Sequence, residues 1–269
     1  MTELREECIQ VRESVKIAVK IKGEGEPIVF LHGAGGLNWD SFLEELSQHY
    51  KVYAPHLPGT ANSSGIESIR DLWDLILCYY DLFEKLGLES VDVIGHSLGG
   101  MIACELAATD QSRINRLITI CPAGLWRQDM PIPDLFAMLP EEMQKLVWAD
   151  PNSELAKQMR QLPDDLDERL EAKIHQIENM QAAAKFLWPI PDKGLKYRIH
   201  RIKAPTLIIW GNDDKLIPPV YGEDFKEKIK GSELIKMNNA SHMILLEQTE
   251  RVISAIHNFL QSKVQTESL

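Results

Sequence analysis

The sequence predicts an α/β protein built on a mostly parallel, doubly wound sheet with a helical insertion. Three observations carry that prediction. Short apolar runs recur along most of the chain and alternate with stretches of helical spacing, the pattern of strands joined by crossover helices. Two of these runs end abruptly in glycine-rich loops, as buried strands do where the chain reverses. Between 122 and 203 the strand-like runs vanish, and Pro, Met, Glu and Gln become common.

Residues 8–22 alternate roughly between apolar and polar and are followed by Gly23 and Gly25, which predicts an edge strand and a turn. The run 28–31 enters the loop His32-Gly33-Ala34-Gly35-Gly36 and reads as a buried strand. A short helix is expected over 38–48 and a strand over 50–54, closed by Pro55 and the turn Leu57-Pro58-Gly59. Apolar residues at helical spacing from 66 to 86 stop at Gly87, a C-terminal signal. The strand 91–94 runs into Gly95-His96-Ser97-Leu98-Gly99-Gly100 and then a helix over 101–108. Strands follow at 114–120, 206–210 and 233–237, and the insertion between them has helix-like stretches at 135–139, 141–148 and 166–186.

With 269 residues, 44% apolar and 26% charged, the chain has material for one sizeable core and a subordinate module. A net charge of −11 opposes a phosphate backbone, so no nucleic-acid partner is expected. No apolar run approaches the roughly 18 residues of a membrane span, and the charged N-terminus lacks a secretory apolar core, so the expected location is cytoplasmic with no membrane partner. Cys8, Cys78, Cys104 and Cys121 follow no zinc or disulfide spacing and are expected as free buried thiols. The acidic stretch 163–168 lacks the glycine and ligand spacing of a calcium loop and reads as a solvated helix start; no metal site is expected.

Gly-x-Ser-x-Gly by itself is modest evidence, since roughly one chain in ten of this length would contain it by chance, so its context decides. Here small residues let a strand reverse tightly into a helix and thrust the Ser97 hydroxyl out at the carboxyl edge of the sheet. A serine hydroxyl needs a base in reach and a third group that holds the base's tautomer. Acids stand just past the 206–210 strand in Gly211-Asn212-Asp213-Asp214, and His242 stands past the 233–237 strand. All three candidates thus fall at carboxyl ends of strands, where open α/β sheets build their sites. The amides of Ala34 and Leu98 are the candidate donors for an oxyanion.

On His32-Gly33-Ala34-Gly35-Gly36, Gly95-His96-Ser97-Leu98-Gly99-Gly100, Gly211-Asn212-Asp213-Asp214-Lys215-Leu216-Ile217-Pro218 and Ser241-His242, the chain resembles the α/β-hydrolase superfamily over nearly its whole length. The resemblance implies an α/β-hydrolase core over 1–121 and 204–269, with a helical cap at 122–203 inserted after the sixth strand. It places the acid three residues after the strand-end glycine, which selects Asp214 over Asp213. The implied mechanism is acyl transfer with Ser97 as nucleophile, His242 as base and Asp214 orienting the ring, needing no cofactor. The implied partner is a small-molecule ester or related carbonyl substrate; a homodimer is left open.

The chain departs from the family pattern at His56-Leu57-Pro58-Gly59-Thr60-Ala61, where many relatives read Asp-x-Pro-Gly-His-Gly, so that loop's packing is in question. Serine at 97 rather than aspartate argues against haloalkane dehalogenases and most epoxide hydrolases of this fold. Meta-cleavage-product hydrolases, which break a carbon-carbon bond with the same triad, often carry Asn before the serine and Trp after the histidine, where this chain has His96 and Met243. An ester hydrolase is therefore the first expectation, the carbon-carbon hydrolase the second, and a binding member of the fold without turnover the third.

Trp126, Phe136, Met138 and Trp188 of the insertion, with Ile217 and Met243 beside the acid and the histidine, are the expected substrate-lining residues; packing of the insertion onto the core explains several of them equally well. His32 and His96 sit beside glycine turns and are expected to bond backbone rather than react, and the other histidines are expected to pack or face solvent.

Overall fold

A computed structural model describes residues 2–190 and 192–262. Eight strands form one sheet in the order β1-β2-β4-β3-β5-β6-β7-β8: β1 (Arg5–Arg12), β2 (Val15–Lys22), β3 (Pro27–Leu31), β4 (Lys51–Pro55), β5 (Val91–His96), β6 (Ile114–Ile120), β7 (Thr206–Gly211) and β8 (Glu233–Met237). The β1–β2 and β2–β4 pairs are antiparallel and all the others parallel. β5 and β7 are buried at every position, as strands covered on both faces are, and the near-continuous apolar sequence of β7 reflects it.

The segment 8–22, expected as one edge strand, is a hairpin of two. The chain turns at Glu13 and Ser14, with Arg12 opposite Val15, and the register slips between Gln10 and Arg12. A polar turn without glycine or asparagine leaves only a weak local signal. This arrangement also corrects one cysteine: Cys78, Cys104 and Cys121 are free and buried, but Cys8 is exposed, because β1 is the sheet edge and Cys8 faces outward.

Among the helices, α1 (Ser41–Leu46), α2 (Leu72–Lys85) and α3 (Leu98–Thr109) precede the insertion. The expected 66–86 helix breaks into a single 3-10 turn at Ile66–Ser68 and α2 proper, because the Asp71 side chain accepts from the Asp74 amide and starts the helix there. Gly87, at φ +73°, closes it as expected.

Between β6 and β7 lie α4 (Pro140–Val147), α5 (Glu154–Arg160) and α6 (Leu166–Leu187), then 3-10 turns at Leu195–Tyr197 and Ile199–Arg201. Residues 135–139 are not helical; Pro140 opens α4 at its first turn, where a missing N–H costs nothing. The acidic stretch is a helix start: Asp165 accepts from the amides of Asp167 and Glu168. Leu166, Leu170, Ile174 and Ile177 in the N-terminal half of α6 are exposed. After β7 come α7 (Val220–Lys228), α8 (Ile244–Glu247) and α9 (Thr249–Gln261). Helix α2 packs on α3, and α1 packs on α8 and α9. No described helix is long and apolar enough to cross a membrane.

Candidate active site

The turn after β5 forces Ser97 to φ +56° and ψ −116°, a conformation unfavourable for any residue with a side chain. Three backbone hydrogen bonds hold it there. The Ser97 amide donates to Ile120 O at 3.0 Å, and its carbonyl accepts from Met101 at 3.1 Å and Ala123 at 3.0 Å. The turn closes only because Gly99 lacks a side chain: a Cβ at that position would sit 2.0 Å from the carbonyl oxygen of Leu31.

Two further loops converge on this hydroxyl. Within β7, the indole of Trp210 donates to Ile217 O at 2.9 Å and folds the acid loop back on the strand. Past β8, Ala240 O accepts from the Asp213 amide at 2.9 Å, which ties the histidine loop to the acid loop. As a result His242 Nδ1 stands 2.8 Å from Asp214 Oδ2, and His242 Nε2 stands 2.9 Å from Ser97 Oγ. All three residues are buried.

The hydrogen-bond partners set the proton positions. Asp214 Oδ1 accepts from the amides of Leu216 at 3.0 Å and Ile217 at 2.8 Å, so the carboxylate already has two donors before the ring arrives. A carboxylate only accepts, which puts the ring hydrogen on Nδ1 and leaves Nε2 free to accept from the Ser97 hydroxyl. Asp213, one residue earlier, faces solvent.

The neighbouring imidazoles bond main chain. His96 Nε2 donates to His242 O at 2.8 Å, and burial pushes its pKa down to about 3. His32 Nδ1 donates to Gly33 O at 2.7 Å while its Nε2 accepts from the Leu57 amide at 3.2 Å; burial pushes it down to about 4. That second bond answers the question over 56–61: the loop packs onto His32 and closes through Thr60 Oγ1, which donates to Leu57 O at 2.8 Å. The amides of Ala34, next to Gly33 in the loop after β3, and of Leu98, the first residue of α3, donate to no protein acceptor among the described residues.

The family model for the alpha/beta hydrolase fold matches residues 26–249. This chain belongs to that family. A 2-hydroxy-6-oxo-2,4-heptadienoate hydrolase of Pseudomonas putida is 26% identical to it over 267 residues, covering 90% of this chain and 91% of the relative. A pimeloyl-[acyl-carrier protein] methyl ester esterase of Aliivibrio fischeri is 27% identical over 255 residues, covering 89% and 95%. Among solved structures, an esterase of Exiguobacterium antarcticum superposes with a TM-score of 0.78 at 21% identity, covering 96% of this chain and 100% of its own, which speaks for the fold.

In this α/β hydrolase the expected lining residues stand in different surroundings. Ile217 is buried, with its amide on Asp214 and its carbonyl on Trp210. Met243, Trp126, Phe136 and Met138 are half-buried, and the Met243 amide donates to Val147 O at 3.0 Å. Trp188 is 54% exposed, its indole donating to Asp134 Oδ2 at 3.2 Å.

Three residues of the hydrolase site carried no local signal. Cys121 lies behind the acid: its Sγ, an Asp214 oxygen and a His242 nitrogen fall within 4.8 Å of one another. Burial first, then the Asp214 charge, keeps the thiol protonated by raising its pKa well above the ordinary value. A metal there would have to displace both that hydrogen and the Nδ1 hydrogen already committed to Asp214. Asn179 of α6 reaches back to donate to Gly35 O at 3.2 Å in the loop that carries Ala34. Glu247 accepts from the Ser241 amide beside the histidine.

Proposed function

We propose that this α/β hydrolase cleaves small carboxylic esters through a covalent acyl-enzyme on Ser97. The observation that carries the reading is the unbroken chain from Asp214 Oδ2 to His242 at 2.8 Å and from His242 Nε2 to Ser97 Oγ at 2.9 Å. His242 Nε2 takes the hydroxyl proton as Ser97 Oγ attacks the carbonyl carbon, and the amides of Ala34 and Leu98 receive the negative charge that develops on the carbonyl oxygen. The imidazolium then gives its proton to the departing alcohol. Water repeats the sequence on the acyl-enzyme and releases the acid and free Ser97. Asp214 stabilises the imidazolium in both halves, with its remaining charge held by the Leu216 and Ile217 amides. Residues 122–203 act as the cap in this reading, with Trp126, Phe136, Met138, Trp188, Ile217 and Met243 supplying apolar contact to the acyl or alcohol group.

The relatives named as dienoate hydrolases and as methyl ester esterases are similar to this chain to nearly the same degree, so identity does not separate the two reactions. His96 before the nucleophile and Met243 after the histidine favour the ester. The test is a comparison of wild type with Ser97→Ala on a short p-nitrophenyl ester and on a ring-fission dienoate. Ester turnover should fall about 10⁶-fold in the variant, and a fluorophosphonate probe should label wild type alone. Dienoate turnover well above ester turnover would move the assignment to the carbon-carbon bond, and undiminished ester hydrolysis by Ser97→Ala would remove the serine mechanism.

A further inference from the structure

A helix leaves its last carbonyls without partners inside the helix. In α4 those carbonyls are taken by the loops of the candidate active site. Leu146 O accepts from the Lys215 amide at 3.3 Å and from Ser241 Oγ at 3.1 Å, and Val147 O accepts from the Met243 amide at 3.0 Å. Just beyond the helix, the Ala149 amide donates to Glu247 Oε1 at 2.7 Å, while Glu247 Oε2 accepts from the Ser241 amide at 2.6 Å. One carboxylate, at the end of α8, therefore grips the insertion with one oxygen and the residue preceding His242 with the other. The main chain is held at three consecutive residues: 241 by Glu247, 242 by His96 Nε2 on its carbonyl, and 243 by Val147.

We infer that Glu247 and the end of α4 form a brace that sets the pose of His242, making Glu247 a positioning residue and the insertion a working part of the site rather than a removable cover. The inference rests on the reading of Ser97 as nucleophile, because the pose matters through the reach of Nε2 to that hydroxyl. Misplacing a reacting group by about 1 Å can cost about 100-fold in rate, so a loosened 241–243 segment is felt in the chemical step. Burial raises the Glu247 pKa, opposed by its two amide donors and supported by the like charges of Asp213 and Asp214.

The experiment uses the full chain with Glu247→Ala and Glu247→Gln, read three ways: kcat and KM on a short p-nitrophenyl ester, the rate of Ser97 labelling by a fluorophosphonate, and hydrogen exchange at the amides of Ala149 and Ser241. Glu247→Ala should lower kcat about 10- to 100-fold with KM within about twofold of wild type, slow labelling in parallel and speed exchange at both amides. Glu247→Gln, which keeps one acceptor oxygen, should move the same way by less, and it decides the matter if the alanine variant does not fold. A folded variant with wild-type kcat and labelling rate overturns the brace. If wild type neither hydrolyses esters nor takes the probe, the serine reading fails instead, and exchange still judges the brace, because unchanged protection at Ala149 and Ser241 overturns it.

Discussion

Asp214→Asn isolates tautomer control from everything else the acid loop does. The aspartate serves three donors with two oxygens: the Leu216 and Ile217 amides on Oδ1 at 3.0 and 2.8 Å, and His242 Nδ1 on Oδ2 at 2.8 Å. An asparagine has one oxygen for both jobs. Turning its NH2 toward the loop would leave two buried amides facing a donor, at about 1–3 kcal/mol each, whereas turning it toward the ring opposes a single N–H. The oxygen is therefore expected to stay on the loop. His242 then escapes the donor clash by carrying its hydrogen on Nε2, which aims a donor at Ser97 Oγ and leaves nothing to accept the hydroxyl proton. A wrong tautomer of this kind lowers kcat about 10⁴-fold in a serine protease of unrelated fold, or about 5 kcal/mol of barrier, and the same order is expected here. The assay is kcat on a short p-nitrophenyl ester at neutral pH, with near-ultraviolet circular dichroism to confirm the fold. Asp213→Asn, at an exposed position, serves as the control. A folded Asp214→Asn within about tenfold of wild-type kcat would refute this account of the acid.

Two further outcomes concern stability. Both oxygens of the buried Glu105 on α3 are held by Arg198, each at 2.7 Å, so Arg198→Ala strands a carboxylate and should cost about 3–5 kcal/mol in urea unfolding; a loss below about 1 kcal/mol would show that water reaches Glu105 instead. Burial holds His32 and His96 at about 4 and about 3 in the folded chain against an ordinary 6.5, so the unfolded chain binds more protons below that pH. Stability should be full above pH 6.5 and fall as pH drops toward 4, by about 1.4 kcal/mol per pH unit for each ring that the fold keeps neutral. The urea midpoint measured against pH should show this slope, shallower in His32→Gln, and a flat wild-type profile would mean that neither ring is held neutral.

Much of the site was legible because its parts are local devices. The glycines around Ser97 are demanded by one turn, and a histidine or an acid just past an apolar run already lies at the right edge of a parallel sheet. Choosing Asp214 over Asp213 needed the family pattern, since the two carboxylates are chemically alike and are told apart only by the fold, which buries Asp214 against His242 and the Leu216 and Ile217 amides and leaves Asp213 in solvent. Glu247 was illegible for another reason. Its partners, Ser241 and Ala149, are six and 98 residues away in the chain, and neither uses a side chain to reach it. The hairpin at 8–22 was missed because Glu13 and Ser14 carry no turn signal strong enough to split an alternating run.

Which side chains end up at the carboxyl edge of the sheet follows from the order of amino acids, because strand, glycine turn and helix are decided by sterics within a few residues. That they meet is a property of the folded chain. Ser97 and His242 are 145 residues apart, His242 and Asp214 are 28 apart, and α4 caps its carbonyls with amides from two other loops. Those bonds require the sheet order and the seat of the insertion, which burial of the whole core decides, and no local pattern carries that information.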